Sequence, residues 1–221
     1  MNILAIDSAT EACSAALLRE DGAVFAEFEI APRQHAGLLP EMIRRILADA
    51  ALSRSRLSHC AFSNGPGAFT GIRIAAAQAQ GIGIGLGIPL LPVSTLAVLA
   101  QTCFDRYAYQ STMAALDARM QEIYWARYTR DEAGCAQLNG EERLGSVAQL
   151  QAEAAAESGV GHGWLEELRA QVTQPIDAQM LPDARSLLRL AQRGVKQNLA
   201  CGAGDIKINY LRNRVAEKAR S

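Results

Sequence analysis

The segment from Asn64 to Arg73, NGPGAFTGIR, carries the strongest chemical signal of this 221-residue sequence. It lies between a predicted strand and a predicted helix, and the free N–H groups and macrodipole of a helix N-terminus favour an anion. Gly65 and Gly67 are therefore candidate contacts for a phosphate group. The segment is not a P-loop, which would have Lys-Ser or Lys-Thr after its last glycine. Tight turning and close packing are the alternative reason for the same glycines.

Asp7 ends the first predicted strand and opens the loop Asp7-Ser8-Ala9-Thr10. In two-lobed nucleotide-binding folds, an acidic residue at this place holds a hydrated metal ion while adjacent amides and hydroxyls face phosphate. Asp7 and Thr10 are therefore candidate nucleotide-binding residues. The loop contains no glycine, which restricts how closely its backbone approaches phosphate oxygens. Local hydrogen bonds that cap the hairpin ends are the alternative role for both side chains.

Residues that act as nucleophiles, bases or metal ligands are sparse. The three histidines, His35, His59 and His162, are never within four residues of one another, so the sequence has no H-x-x-x-H or H-E-x-x-H pair. It has no G-x-S-x-G segment either, and its five cysteines are scattered without a C-x-x-C pair. We therefore expect no catalytic residue, no metal and no cofactor.

Composition excludes several classes of protein. The net charge is -1, 49% of the residues are apolar and 5% are aromatic. These values argue against disorder and against a broad cationic, base-stacking surface for stand-alone nucleic-acid binding. Scattered cysteines are typical of the reduced cytosol. The longest apolar stretch, residues 74–93, is interrupted by glycines and Pro89, so we expect a cytoplasmic protein without a membrane span.

The apolar pattern predicts the elements that position these residues. Two short apolar runs, 2–7 and 12–19, and a third after the Asp21-Gly22 turn predict three antiparallel strands. Apolar residues spaced three and four apart then predict a helix that begins after Pro32 and ends before Ser53.

A strand, a helix and a parallel strand are predicted next. Their ranges are 59–64, 71–86 and 88–93, and a further helix follows near 95–104. In this order the Gly-rich segment connects a strand to a helix, and the first 104 residues form one lobe.

The following stretch repeats the opening of the chain. MAALDARMQEIYWARYTRDEAG is similar to ILAIDSATEACSAALLREDG, with Asp117 at the place of Asp7. This similarity indicates an internal duplication, although strand, acid, strand and turn is also a common pattern in α/β proteins. We expect two lobes that face each other across a cleft, 1–104 and 105–181, and a segment of about 182–221 that returns to pack on the first lobe.

Shorter elements are predicted for the second lobe. Its helices are expected at 146–156 and 164–171, and its strands near 121–130, 158–161 and 172–176. One more helix is predicted with Pro182 near its first position and Gly194 near its end.

The two long helices of the first lobe carry a candidate interaction surface. The first has an apolar face, and the second has small residues that allow another helix to approach closely. An exposed apolar patch of this kind is rarely left in solvent, so we expect it to bind a partner and to form a homodimer when the chain is alone. The expected interface residues are His35, Leu38, Leu39, Met42, Ile43, Arg73, Ile74, Ala75, Gln78, Ala79 and Ile82.

Five segments in this order resemble the bacterial TsaB (YeaZ) family, relatives of TsaD within the actin-like, sugar-kinase and Hsp70 (ASKHA) superfold. They are ILAIDSAT, QHAGLLPEMI, SNGPGAFTGIRIAAAQAQGIG, IPLLPVSTLAVLA and YLRN. The resemblance is strong over the first 104 residues and weak over the second lobe. It implies an α/β, two-lobed fold with a shortened second lobe.

The resemblance also implies a function. Members of this family are non-catalytic subunits required for N6-threonylcarbamoyladenosine (t6A) at position 37 of tRNAs that decode ANN codons. They bind the transferase TsaD as a heterodimer, and TsaE joins them in a ternary complex. They contact tRNA only indirectly, through that complex. TsaD has a metal-binding H-x-x-x-H after the strand that corresponds to PLLPV; here Thr95 and Leu99 stand at those places, and neither ligates a metal as imidazole does.

A small ATP-dependent phosphotransferase of the actin-like fold is the alternative function. Asp7 would anchor a metal-bound water, and residues 65–71 would lie near phosphate. The glycine-free loop after Asp7 and the absence of a convincing adenine motif weaken this alternative. A peptidase is weaker still, because the sequence has no nucleophile-base pair and no zinc ligand set.

Overall fold

Two five-stranded sheets dominate the computed structural model, which describes residues 1–153 and 156–212. The strands of the first sheet are β1 (Ile3–Asp7), β2 (Ala12–Leu18), β3 (Val24–Ile30), β4 (His59–Ser63) and β5 (Leu90–Val93). Their order is β3-β2-β1-β4-β5. The first three form the predicted antiparallel meander, and β4 and β5 extend it in parallel.

Helices α1 (His35–Asp49) and α2 (Phe69–Leu86) cover one face of this sheet. The apolar residues of α1 recur every three or four positions, so Leu39, Met42 and Ile46 all face the sheet and are buried. On α2 the buried residues are mostly small, among them Ala75 and Ala79, which lets the helix lie close to the strands. Both helices lie where the sequence predicted them.

The second sheet has the order β10-β9-β6-β7-β8. Its strands are β6 (Ser111–Arg119), β7 (Glu122–Arg130), β8 (Ala136–Ser146), β9 (Gly159–Val160) and β10 (Ile176–Asp177). Two short helices, α4 (Val147–Glu153) and α5 (Glu166–Arg169), belong to this half of the chain.

The two sheets have the same topology. In each, an antiparallel meander of three strands is extended by two parallel strands on the side of its first strand. Asp7 ends β1, and Asp117 lies near the end of β6. The predicted internal duplication is therefore confirmed at the level of topology. The second copy is reduced, since β9 and β10 have only two residues each.

Two further helices, α3 (Thr95–Arg106) and α6 (Ala184–Lys196), pack against each other between the sheets. Each follows one copy of the repeat but packs on the sheet of the other: α3 lies against β6–β9 and α6 against β1–β5. This exchange buries one continuous apolar cluster between the halves. The predicted fold class, an α/β protein with two similar halves of which the second is reduced, is confirmed.

Several details differ from the predictions. Strand β8 was not predicted, because its residues 137–143 are mostly polar and largely exposed at a sheet edge. Helix α6 starts at Ala184, so Pro182 precedes the helix and is not at its first position. Asp183 is the N-cap and accepts a hydrogen bond from the Arg185 amide at 2.8 Å. Gly194 lies inside the last turn, which continues to Lys196.

Some predicted features fall partly outside the described residues. The end of the helix expected at 146–156 includes residues 154 and 155, and the segment expected at 182–221 includes residues 213–221. The division into lobes at residues 104 and 181 stays our proposal. No helix in 1–153 or 156–212 is both long and apolar enough to cross a membrane.

Candidate functional site

A cavity of about 660 Å³ opens between the two copies of the repeat. The β1–β2 loop and the Gly-rich segment form one wall, and the end of β6 and residue His162 form the other. The lining residues are Ala9, Glu11, Pro66, Gly67, Ala68, Phe69, Ile72, Arg73, Asp117, Ala118, Arg119, Tyr124, His162, Asn209, Tyr210, Leu211 and Arg212. The cleft predicted from the duplication is therefore present. Residues 209–212, which belong to the C-terminal segment expected to return to the first lobe, also border it.

The Gly-rich segment packs directly onto the β1–β2 loop. The amide of Ala68 donates to the carbonyl oxygen of Ala9 at 2.7 Å, and the Ser8 hydroxyl donates to the carbonyl oxygen of Gly71 at 2.8 Å. A Cβ atom at Gly67 would overlap the Ala9 carbonyl oxygen, and one at Gly71 would overlap that of Ser8. These glycines are thus required for contact between two loops.

Asp7 lies beneath this contact and is completely buried. Its Oδ1 accepts a hydrogen bond from the Ala9 amide at 3.2 Å, whereas Oδ2 has no hydrogen-bond partner among the described residues. Burial raises the pKa of Asp7 to about 6, Asp183 adds to the rise, and the Ser63 hydroxyl and the Ala9 amide oppose it. The carboxyl group does not line the cavity.

Thr10 is also buried and does not line the cavity. Its hydroxyl oxygen accepts from the Ala12 amide at 3.3 Å, a local bond at the start of β2. The remaining nucleotide candidates are Gly67, which lines the cavity, and Gly65, which lies behind it. The four candidates therefore do not converge on one open space.

Arg73 projects from the second turn of α2 into the wall of the cavity. Its guanidinium carbon lies 3.7 Å from the centre of the Phe69 ring, and its Nε donates to the Tyr210 hydroxyl at 3.0 Å. Within the described part of the chain Arg73 forms no ion pair. The N-cap residue of α2, Ala68, supplies no side-chain cap. This corner of the cavity is therefore electropositive.

The opposite wall carries paired charges. The Asp117 carboxylate lies 3.0 Å from the Arg119 guanidinium, and Arg119 is exposed. His162 accepts a hydrogen bond at Nδ1 from the Asp117 amide at 3.0 Å, and its Nε2 lies 3.8 Å from the Glu11 carboxylate. Burial lowers the pKa of His162 and outweighs the opposing effect of Glu11. The spacing of the histidines in the sequence indicated no role for His162, and only the repeat of Asp7 by Asp117 pointed to this wall.

The described residues contain no cluster of three or more His, Cys, Asp and Glu side chains that could hold a metal ion. Thr95 and Leu99 are fully buried on α3 and do not line the cavity. His35 is buried as well, with its Nε2 3.2 Å from the Ala12 carbonyl oxygen. Thr95 and Leu99 therefore lie in the core, and His35 contacts β2 from the start of α1.

The α1–α2 surface divides into inward and outward residues. The expected interface residues that face the core of the chain are His35, Leu39, Met42, Ile43, Ala75 and Ala79. Those that remain partly open to solvent are Leu38, Ile74, Gln78 and Ile82. Between the helices lies a groove of about 220 Å³, lined by Pro40, Ile43, Leu47, Gln78, Ile82 and Leu86 among others.

The outer side of α2 is unusually flat. Ala77, Gly81 and Gly85 are exposed at intervals of four residues, and a Cβ at Gly81 or Gly85 would meet no atom of the described residues within 4 Å. Ile84 projects beside them and is 72% exposed. A second helix could therefore approach this side of α2 closely without displacing any side chain.

Comparison with known proteins gives consistent results. The sequence model of the family "TsaD: tRNA N6-adenosine threonylcarbamoyltransferase" matches residues 28–161. The tRNA threonylcarbamoyladenosine biosynthesis protein TsaB of Escherichia coli is 38% identical over 99% of this chain and 97% of its own length. The TsaB protein of Haemophilus influenzae is 33% identical over 99% and 96%.

A solved structure described as YeaZ from Pseudomonas aeruginosa has the same fold. It superposes with a TM-score of 0.88 and is 37% identical, covering 95% of this chain and 99% of that chain. The identity, the near-complete coverage and the shared fold lead to one assignment. The chain belongs to the TsaB (YeaZ) family.

Proposed function

We propose that this protein is a non-catalytic subunit required for the formation of t6A at position 37 of tRNAs that decode ANN codons. The observation that carries the proposal is the near-complete alignment with TsaB proteins, which are named for t6A biosynthesis. The match to the TsaD family also supports the proposal, because that family is named for a tRNA N6-adenosine threonylcarbamoyltransferase.

The geometry of the cleft supports a role without catalysis. Asp7, the residue that would anchor a metal-bound water, is buried beneath the loop that covers it. The amide of Ala68 and the hydroxyl of Ser8 bond to backbone carbonyl oxygens rather than to an open space. Thr95 and Leu99, which occupy the places of the TsaD imidazoles, are enclosed in the core. No observation in the described residues favours the phosphotransferase alternative.

TsaD is the proposed partner, and the α1–α2 surface is the proposed contact. The outward residues Leu38, Ile74, Gln78 and Ile82 would touch the partner, and the exposed glycines of α2 would let its helix approach. The inward residues, such as Leu39 and Met42, would support the surface from below. We place Arg73 at the edge of this contact, because it extends toward the cleft.

The remaining partners follow from the same proposal. The protein alone would form a homodimer through the α1–α2 surface, and TsaD would compete with the second copy. TsaE would join the heterodimer in a ternary complex. Contact with tRNA would be made through the complex, since the chain has a net charge of -1.

Complementation tests the proposal. In a bacterial strain depleted of its own TsaB, expression of this chain is expected to restore the t6A content of bulk tRNA, measured by mass spectrometry of hydrolysed nucleosides. A matched strain expressing Gly81→Gln, which is expected to fold but not to dock, serves as the control. Unchanged t6A after expression of the wild-type chain at the level of the depleted protein would overturn the proposal. Metal-dependent ATP turnover by the purified chain would instead favour the phosphotransferase.

A further inference from the structure

Residues 206–212, here called the C-terminal strap, cross the mouth of the cleft from one half of the chain to the other. At one end Ile206 and Ile208 pack against the core beneath α1 and α2. At the other end Arg212 donates to the carbonyl oxygen of Ala118 at 3.1 Å and pairs with Glu122 at 2.5 Å. The proposed function assigns no role to this strap or to the groups that hold it.

Glu142 on β8 lies where the strap meets both halves. Its Oε1 accepts hydrogen bonds from the hydroxyls of Ser94 and of Tyr128, the latter at 2.7 Å. Its Oε2 accepts from the side-chain amide of Asn209 at 2.6 Å. No cation in the described residues forms an ion pair with Glu142, so neutral donors from the N-cap of α3, from β7 and from the strap hold this carboxylate. Hydrogen bonds to an ionised acceptor are about twice as strong as neutral ones.

Asn209, which binds Glu142 through its side chain, also binds the Gly-rich segment through its backbone. Its backbone N–H donates to the carbonyl oxygen of Asn64 at 2.8 Å, and the Asn64 side chain donates to the carbonyl oxygen of Lys207 at 3.1 Å. A Cβ at Gly65 would lie 2.9 Å from the carbonyl oxygen of Asn209. Gly65, at φ +104°, therefore gives the strap room to lie on the loop.

The residue after Asn209 completes the connection to α2. The Tyr210 hydroxyl accepts from Arg73, and its ring centre lies 6.4 Å from that of Phe69. Phe69 is the first residue of α2 and Arg73 lies one turn further on. A change in the position of the strap would thus alter the N-terminal end of this helix.

We propose that Glu142 is a positioning residue that latches the C-terminal strap over the Gly-rich segment and thereby fixes Phe69 and Arg73 at the mouth of the cleft. The latch itself involves only residues of this chain, so it does not depend on the proposed function. The consequence for partner binding rests on the proposed function, because α2 is the proposed docking helix.

The latch is tested by swapping the hydrogen-bond donor at position 209 with the acceptor at position 142. Asn209→Asp places a second carboxylate against Glu142 and is expected to release the strap. Adding Glu142→Gln to that variant restores the hydrogen bond with reversed polarity, because the amide at position 142 now donates to the carboxylate at position 209. Glu141→Gln removes the neighbouring carboxylate of β8, which is 72% exposed, and is the matched control.

Hydrogen exchange measured by mass spectrometry reports the result. In Asn209→Asp, peptides covering 64–73 and 206–212 are expected to exchange at least ten times faster than in the wild type. A peptide covering β2 is expected to be unchanged, and the double variant is expected to return to within threefold of the wild type. Wild-type exchange in Asn209→Asp, or no recovery in the double variant, would overturn the latch.

A second variant keeps the test decisive if Asn209→Asp does not fold. Asn209→Ala removes the donor without adding a charge, and faster exchange in the same two peptides alone supports the latch. Faster exchange in β2 to the same degree overturns it, because the contact would then stabilise the whole fold. If hydrogen exchange in the strap becomes faster but the affinity for TsaD does not change, only the consequence for docking is overturned. Binding of TsaD by the wild type would still support the proposed function.

Discussion

The amide nitrogen of Ala68 lies 2.7 Å from the carbonyl oxygen of Ala9, and this hydrogen bond joins the two loops from which a phosphate site would have to be built. An amide that donates to a protein carbonyl is not available to a phosphate oxygen. In this chain the Gly-rich segment therefore anchors the start of α2 on the first sheet. The predictions below follow from that anchoring role and from the α1–α2 surface that it holds.

The contact between the two loops should be sensitive to a single methyl group. Gly71→Ala would bring a Cβ into the carbonyl oxygen of Ser8, which belongs to a buried loop, so we expect a loss of about 2–4 kcal/mol in the free energy of unfolding. Urea unfolding at 25 °C measures it. Gly37→Ala is the control, because a Cβ there meets no atom within 4 Å in 1–153 or 156–212. Equal midpoints for the two variants would contradict the packing described here.

The buried carboxyl group of Asp7 should make stability depend on pH. Its pKa is raised from 3.8 to about 6 in the folded chain, so between these values the folded state binds more protons than the unfolded state. Stability must then fall as the pH rises from about 4 to 7, by an amount on the order of 3 kcal/mol from this group. Asp7→Asn cannot ionise and should not show that loss.

Urea unfolding of the wild type and of Asp7→Asn at pH 4.5 and pH 7.5 measures this difference. The variant is expected to gain stability relative to the wild type at the higher pH, and the exposed Asp49→Asn provides a control for a general loss of charge. If the difference between wild type and Asp7→Asn is the same at both pH values, Asp7 is not the buried acid described here.

The outer side of α2 allows folding and docking to be separated. Gly81→Gln adds a side chain where the residues that the structure describes leave open space, so the fold should persist, and helix propensity should raise stability by up to about 1 kcal/mol. The same side chain would stand between α2 and a partner helix, and we expect at least a tenfold loss of affinity for TsaD and for a second copy.

Ala148→Gln, which introduces the same side chain at an exposed position of α4, is the control for this experiment. It should leave both associations unchanged. Leu39 is unsuitable for this purpose because its side chain is fully buried, so a polar substitution there would test folding. A Gly81→Gln protein that binds with wild-type affinity would remove α2 from the proposed contact.

Nucleotide chemistry should be absent from the purified chain. Because Asp7 lies outside the cavity and the Ala68 amide is occupied, we expect no ATP hydrolysis above the buffer rate in the presence of Mg²⁺. A coupled phosphate-release assay measures it, with Asp7→Asn as the comparison. Turnover that disappears in that variant would assign Asp7 the role of metal-water anchor instead.

Much of the fold was predictable because it depends on local patterns. The Asp21-Gly22 turn between apolar runs predicted the meander, and the spacing of Leu39, Met42 and Ile46 predicted α1. Strand β8 was missed because it lies at a sheet edge, where polar residues and Gly140 conceal the alternation. The topological duplication was predictable from the recurrence of one acidic residue in similar surroundings.

The site was less predictable, since long-range contacts determine it. Asp7 has the type and position of a metal-binding residue, and only the packing of the Gly-rich segment shows that it is enclosed. The helical pattern predicts that Arg73 lies on α2 but does not predict that its guanidinium lines the cleft. There the Nε atom of Arg73 donates a hydrogen bond to the Tyr210 hydroxyl. Arg73 and Tyr210 are 137 positions apart in the sequence, and they meet only because the C-terminal strap lies over the cleft. No spacing in the sequence indicates this contact.

The central claim is that the α1–α2 surface binds TsaD, and light scattering coupled to size-exclusion chromatography tests it most directly. The chain alone, TsaD alone and an equimolar mixture would be run at micromolar concentrations, with wild type and Gly81→Gln in parallel. We predict a homodimer that gives way to a one-to-one complex in the mixture, and neither association for the variant. A mixture that elutes as the two separate proteins, with nucleotide and Mg²⁺ added as well, would contradict the account.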